Sequence, residues 1–222
     1  MGRFRAFTLA EVLITLGIIG IVAAMTIPNI ISKNFEKRTV TQLKATQSIL
    51  AQAIRLSEEE YGDASSWTQE RWTTKGAIEI ADKLKPSLKI AVDCGTSDPS
   101  GNCIKKTYYR KNGQKHDVNY ATDRRYYKVV LLNGTAIWWK ATDASELRGG
   151  VYIEIWVDTN GTNLPNTWGK DLFVFAYENE GLRPFGAPKS HYPYKNHCIP
   201  KNSTGYGCTY WVVMNQNMSY LY

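Results

Sequence analysis

Histidine and cysteine are scarce in this chain, with three of the first and four of the second among 222 residues. So few imidazoles leave little material for a histidine relay or a multi-histidine metal centre. No nucleophile motif and no phosphate-cradling glycine loop offers another chemistry. The expectation is a protein that is not an enzyme and has no catalytic residue. Repeats of fixed period and low-complexity tracts are also missing. Charge is absent from Val12 to Ser32, a run of 21 residues and long enough to cross a bilayer as a helix. Glycine and proline are absent from Lys33 to Glu60, so nothing there interrupts a helix.

What is present begins with a six-residue basic leader, MGRFRA, followed by FTLAE and the apolar run. An ordinary secretory signal places its small-residue cleavage site beyond the apolar core. Ala23 and Ala24 offer weak candidates there, but Pro28 and the helix-compatible sequence beyond favour retention. Ala6 ends the basic leader, and a cut behind it leaves the whole apolar segment on the mature chain. Glu11 is the single acid in that segment. An ionised carboxylate in hydrocarbon costs a few kcal/mol or more, so it calls for a partner, a proton or a place at the interface. A chain starting at Phe7 would bring an amino group within one helical turn of Glu11, or present it to a neighbour.

This stretch resembles the class III signal of type IV pilins and type II secretion pseudopilins. The resemblance rests on Ala6, Phe7, Thr8, Leu9, Glu11 and Pro28, where Pro28 is the twenty-second residue counted from Phe7. It departs from the usual pattern at Ala6, where the family has glycine. The resemblance implies cleavage after Ala6 by a prepilin peptidase, N-methylation of Phe7, and neutralisation of that amine by Glu11 of an adjacent subunit. It further implies a single-pass protein of the bacterial inner membrane with its head outside the cytosol. Its partners would then be like subunits, the peptidase and methyltransferase, and the inner-membrane assembly machinery. Pro28 removes a backbone donor, so the helix either kinks there passively or loosens on entry into a filament.

Beyond the apolar run, Val40, Leu43, Leu50 and Ile54 recur at helical spacing, joined by Ile49 and Ala53. One helix over residues 7–61, crossing the membrane over about 9–31, would be roughly 80 Å long at 1.5 Å per residue. Gly62 to Ser66 ends it. The head, residues 62–222, is large enough for one compact domain. A short helix is expected over Gly76–Leu84. Strands are expected in YYKVVLL, in TAIWWK after an Asn133-Gly134 turn, in VYIEIWV, in LFVFAY and in CTYWVVM from Cys208. The fold class is therefore α+β, a long N-terminal pilin-like helix packed on a mainly antiparallel sheet.

Four cysteines allow three pairings. The extracytoplasmic head implied by the resemblance favours the local pairs Cys94/Cys103 and Cys198/Cys208. A zinc site from Cys198, Cys208, His191 and His197 fits no compact ligand spacing. Between two expected strands, Asp158, Asn160, Asn163 and Asp171 supply hard oxygens that suit calcium, although the segment is no EF-hand. The alternative there is a cluster of Asx turns with Trp168 packed over it. Net charge is +7, and Arg3 and Arg5 would leave with the leader. Seven Lys or Arg lie between Ile104 and Arg125 beside Tyr108, Tyr109 and Tyr120. A solvated hairpin around Asn112-Gly113 is the favoured reading. Nucleic acid held by phosphate attraction and base stacking is the sharper one.

Two function classes follow. The first is a structural subunit of a type IV pilus or type II secretion pseudopilus. The second is a membrane-anchored extracytoplasmic domain that binds nucleic acid, a surface polymer or a protein through a borrowed anchor. The signal favours the first.

Overall fold

The structure, a computed structural model, describes residues 8–143, 152–178 and 181–222. Helix α1 spans Leu9–Tyr61 and includes Pro28. Contacts divide the chain into Met1–Arg38 and Thr39–Tyr222, each described by itself below. In the second unit, α1 buries Thr39, Val40, Leu43, Thr46, Leu50, Ala53, Ile54 and Ser57, which recur every three or four residues along one stripe. Two 3₁₀ turns flank helix α2, Thr74–Leu84. Thr73 caps α2 by accepting from the Gly76 N–H, 3.0 Å away. Gly76 has to be glycine, because a Cβ there would meet the Glu70 carbonyl oxygen at 1.8 Å.

Six strands follow: β1 (Ile90–Gly95), β2 (Tyr127–Leu131), β3 (Ala136–Ala141), β4 (Ile153–Asp158), β5 (Leu172–Glu178) and β6 (Gly181–Pro184). They form one antiparallel sheet in sequence order. The β2–β3 hairpin turns at Asn133-Gly134 as expected, with Gly134 at a φ of 83°. One sheet face carries Ile137, Trp139, Ile155, Phe173, Phe175 and Tyr177, all buried. This face meets the helices. The Trp139 indole donates to the Ala77 carbonyl of α2, 3.1 Å away, and Gln42 of α1 donates to the Thr135 hydroxyl, 2.7 Å away.

The opposite face carries Trp138, Trp156, Leu172 and Val174, covered by Ile104, Tyr108, Tyr120, Tyr126, Trp168 and Phe185. Irregular chain thus makes a third layer, and β3, β4 and β5 are buried on both sides. Two edge strands, β1 and β6, escaped the sequence reading. β1 is largely exposed and its pairing slips twice, between Ile90 and Val92 and between Asp93 and Gly95, while β6 is four residues long and ends in Pro184.

One expected strand is corrected. CTYWVVM lies in helix α4, Cys208–Asn215, after a short helix α3, Tyr194–His197. Its residues favour strands, but tertiary contacts decide. Cys208 is tied to Cys198, the Thr209 hydroxyl accepts from the Val174 N–H (2.9 Å), and the Tyr210 N–H donates to the Phe185 carbonyl (2.9 Å). The first turn of α4 therefore occupies the ground beyond β6 where further pairing would run. Cys208, Thr209 and Val212 are buried, a helical rather than alternating set.

Candidate functional site

In the first unit, Thr8 and Glu11 close a reciprocal cap on α1. The Thr8 N–H and hydroxyl both donate to Glu11 Oε2, at 2.8 and 2.9 Å, and the Glu11 N–H donates to the Thr8 hydroxyl at 3.2 Å. That is a capping box, written in the sequence as Thr-x-x-Glu but not read there as one. From Leu9 to Ile31 the large apolar side chains are exposed. A helix apolar on every side is made for lipid or for other helices, and α1 is long and apolar enough to cross a membrane. Pro28 sits inside the continuous helix, two residues after Thr26, whose hydroxyl donates back to the Val22 carbonyl at 2.9 Å. Ala6 and Phe7 lie outside the described residues.

In the second unit, the segment between β4 and β5 folds around two buried carboxylates. The Tyr108 hydroxyl donates to Asp158 Oδ2 at 3.0 Å, and the Asn160 N–H donates to Asp158 Oδ1 at 3.3 Å. Asp171 accepts the N–H groups of Asn166 and Thr167, at 2.7 and 2.6 Å. Burial, then the neighbouring Asp171, pushes the Asp158 carboxyl well above the ordinary range, and burial raises Asp171 to about 6. Asn160 reaches the Leu164 carbonyl with its amide nitrogen, at 3.0 Å. Asn163 faces outward and donates to the Asn160 carbonyl at 2.8 Å. The structure therefore gathers Asp158, Asn160 and Asp171 and leaves Asn163 at the surface. Tyr108 and Asn166 join them. No sequence signal pointed to Tyr108, which arrives from the covering layer fifty positions away.

Both expected disulfides are present, Cys94–Cys103 and Cys198–Cys208, which takes the four sulfurs out of any thiolate metal site. Cys94, Asp98 and Cys103 also bring their ligand-type atoms within 4.8 Å of one another. There the Asp98 carboxylate accepts the N–H groups of Asn102, Cys103 and Ile104, so it serves as the knot of that loop. The basic segment makes the hairpin expected around Asn112-Gly113, with the Arg110 N–H donating to the Gln114 carbonyl at 2.7 Å. Tyr108 and Tyr120 are buried in the core, leaving Tyr109 exposed among the three tyrosines named for stacking. His116 joins the hairpin to the core, 2.6 Å from the Tyr120 hydroxyl, and burial followed by Arg110 lowers it to about 4. Two buried lysines were not singled out in the sequence. Lys128 donates to the carbonyls of Thr96, Asp123 and Tyr126, and Lys140 pairs with Glu154 at 3.1 Å.

With this geometry in hand, residues 30–216 match a family described as a family of unknown function (DUF6613), and residues 1–27 match the prokaryotic N-terminal methylation motif. The chain belongs to the DUF6613 family. No curated protein and no solved structure matches it. Within the family's span fall both disulfides, the carboxylate cluster and the whole sheet. The capping box and the exposed apolar helix fall instead under the methylation motif, apart from the last residues of that helix. A methylation motif implies a prepilin peptidase and methyltransferase system, and motif and fold together are those of a pilin-like, membrane-anchored subunit.

Proposed function

We propose that this chain is a non-catalytic structural subunit of a type IV pilus or type II secretion pseudopilus. It is held in the bacterial inner membrane by α1 with its head outside the cytosol. A prepilin peptidase removes residues 1–6, the new Phe7 amine is N-methylated, and the subunit assembles with like or related subunits through α1. What supports this is one observation above the rest: under a methylation motif, the helix from Leu9 to Ile31 offers apolar side chains all round and opens on a capped Glu11. Lipid covers such a surface in the stored subunit. After extraction only other apolar helices can, so burial drives assembly, and Glu11 answers the amine of the neighbouring Phe7 where water is excluded. The disulfide-bonded head fits an oxidising compartment.

The test is mass spectrometry of the N-terminal peptide from membrane-expressed chain, with and without an active prepilin peptidase and methyltransferase. The expected product begins at N-methylated Phe7. An intact Met1 beside a fully processed control substrate would overturn the proposal and favour a membrane-anchored binding domain.

A further inference from the structure

Asp158 closes β4, Asp171 stands at the entrance to β5, and both are fully buried. Neither has an ion-pair partner among the described residues. Buried carboxylates without a cation are half of an arrangement, and hydrogen bonds from backbone amides offset only part of the cost. The other half is a surplus of acceptors. Asn166 is 4% exposed and Asn160 lies beside it in the same turn; each has an amide Oδ1 that is buried and has no hydrogen-bond partner among the described residues. Their own N–H groups point into the cluster, Asn166 to Asp171 Oδ2 and Asn160 to Asp158 Oδ1. Two unpartnered amide oxygens therefore lie in the same turn as two buried carboxyl groups.

We infer that Asp158, Asp171, Asn160 and Asn166 form a binding site for a hard divalent cation, with calcium the best match. The donors are all oxygen, with no sulfur or imidazole, which selects against zinc and copper. Calcium accepts mixed carboxylate and amide oxygens in irregular geometry, whereas magnesium keeps its waters and demands a regular octahedron that a turn this tightly hydrogen-bonded does not offer. The Tyr108 hydroxyl, already on Asp158, brings the covering layer to the site. Gly161 packs it against the β2–β3 turn, where an added Cβ would stand 2.9 Å from the Gly134 carbonyl oxygen. A cation here ties together β4, the entry to β5 and the segment that carries Tyr108. Asn163, exposed and turned outward, is not part of the set.

The experiment uses the full chain in detergent micelles, stripped with EDTA and titrated with calcium chloride, then separately with magnesium chloride. Heat of binding, Tm and the fluorescence of the neighbouring Trp168 are the readouts. One saturable calcium site that raises Tm is expected, with a weaker magnesium response. Asn166→Gly removes the amide oxygen while keeping the φ of 51° that glycine accepts, and should weaken calcium by about tenfold or more. Asn163→Ala should bind as wild type. A folded wild-type chain that takes up no calcium at about 10 mM, beyond the weakest extracellular sites, would overturn the inference. So would an Asn166→Gly chain that binds as tightly as wild type.

Discussion

Tyr177 reaches from β5 to the last turns of α1, where its hydroxyl donates to Glu58 Oε1 at 2.5 Å. The same oxygen accepts the Ala64 N–H at 3.1 Å, so one carboxylate joins the helix end, the sheet and the chain leaving the helix. Glu58 belongs to a run of three acids at the negative end of the helix dipole, where acids are unfavourable. The contacts of Glu58 offset that placement. Tyr177→Phe should lower stability by about 1.5 to 3 kcal/mol, the usual worth of a hydrogen bond to a charged group. Urea unfolding of the chain in detergent reads this directly. No change in the midpoint would mean that the helix end is held by apolar packing alone.

Lys140 and Glu154 face each other across β3 and β4, almost fully buried, with Lys140 Nζ 3.9 Å from the centre of the Trp72 ring. Burial pulls Lys140 below its usual range, and Glu154 opposes that shift. Removing one partner strands the other, so Glu154→Ala should cost about 3 kcal/mol or more. Replacing both with methionine should recover most of the loss. A double variant no better than the single one would contradict this account.

His116 predicts an acid-sensitive head. Its pKa lies near 4 when folded against an ordinary 6.5, so the unfolded chain binds the proton more readily. Stability from this group is complete above about pH 6.5, falls as pH drops towards 4, and levels off below. His116→Phe should flatten that window while the steeper carboxylate effects below it remain. Thermal melts from pH 7 to pH 3.5, with an NMR titration of the His116 ring, separate the two chains.

Glu11 has two roles to tell apart. Glutamine preserves a capping box but carries no charge. If the charge serves the join between subunits, Glu11→Gln and Glu11→Ala should both abolish incorporation into filaments while the head keeps its melting temperature. Normal filament yield from Glu11→Gln would reduce the residue to a helix cap.

The helix and its packed stripe are legible because periodicity reports burial, as Leu43, Leu50 and Ile54 illustrate on α1, and the central strands because their β-branched and aromatic runs flank turn residues, as Asn133-Gly134 does before β3. The local disulfides followed from the compartment that the N-terminal resemblance implies. What escaped was set by distant partners. Cys208 to Asn215 prefers strand until Cys198, Val174 and Phe185 fix it as helix. Tyr108 and Tyr120 read as exposed aromatics among lysines, because nothing local tells that their loop folds down over Trp138. In the carboxylate cluster, Asp158 and Asp171 announced themselves by type, whereas Asn166 and Asn163 look alike in sequence and only the turn sorts them into inside and outside.

The sheet's two borders bear on life in a crowd. β1 slips register twice and β6 stops at a proline after four residues. Neither margin offers a neighbour the unbroken row of free amides that a straight strand would. Two heads brought edge to edge would lack the straight strand that a shared sheet requires, and would remain separable.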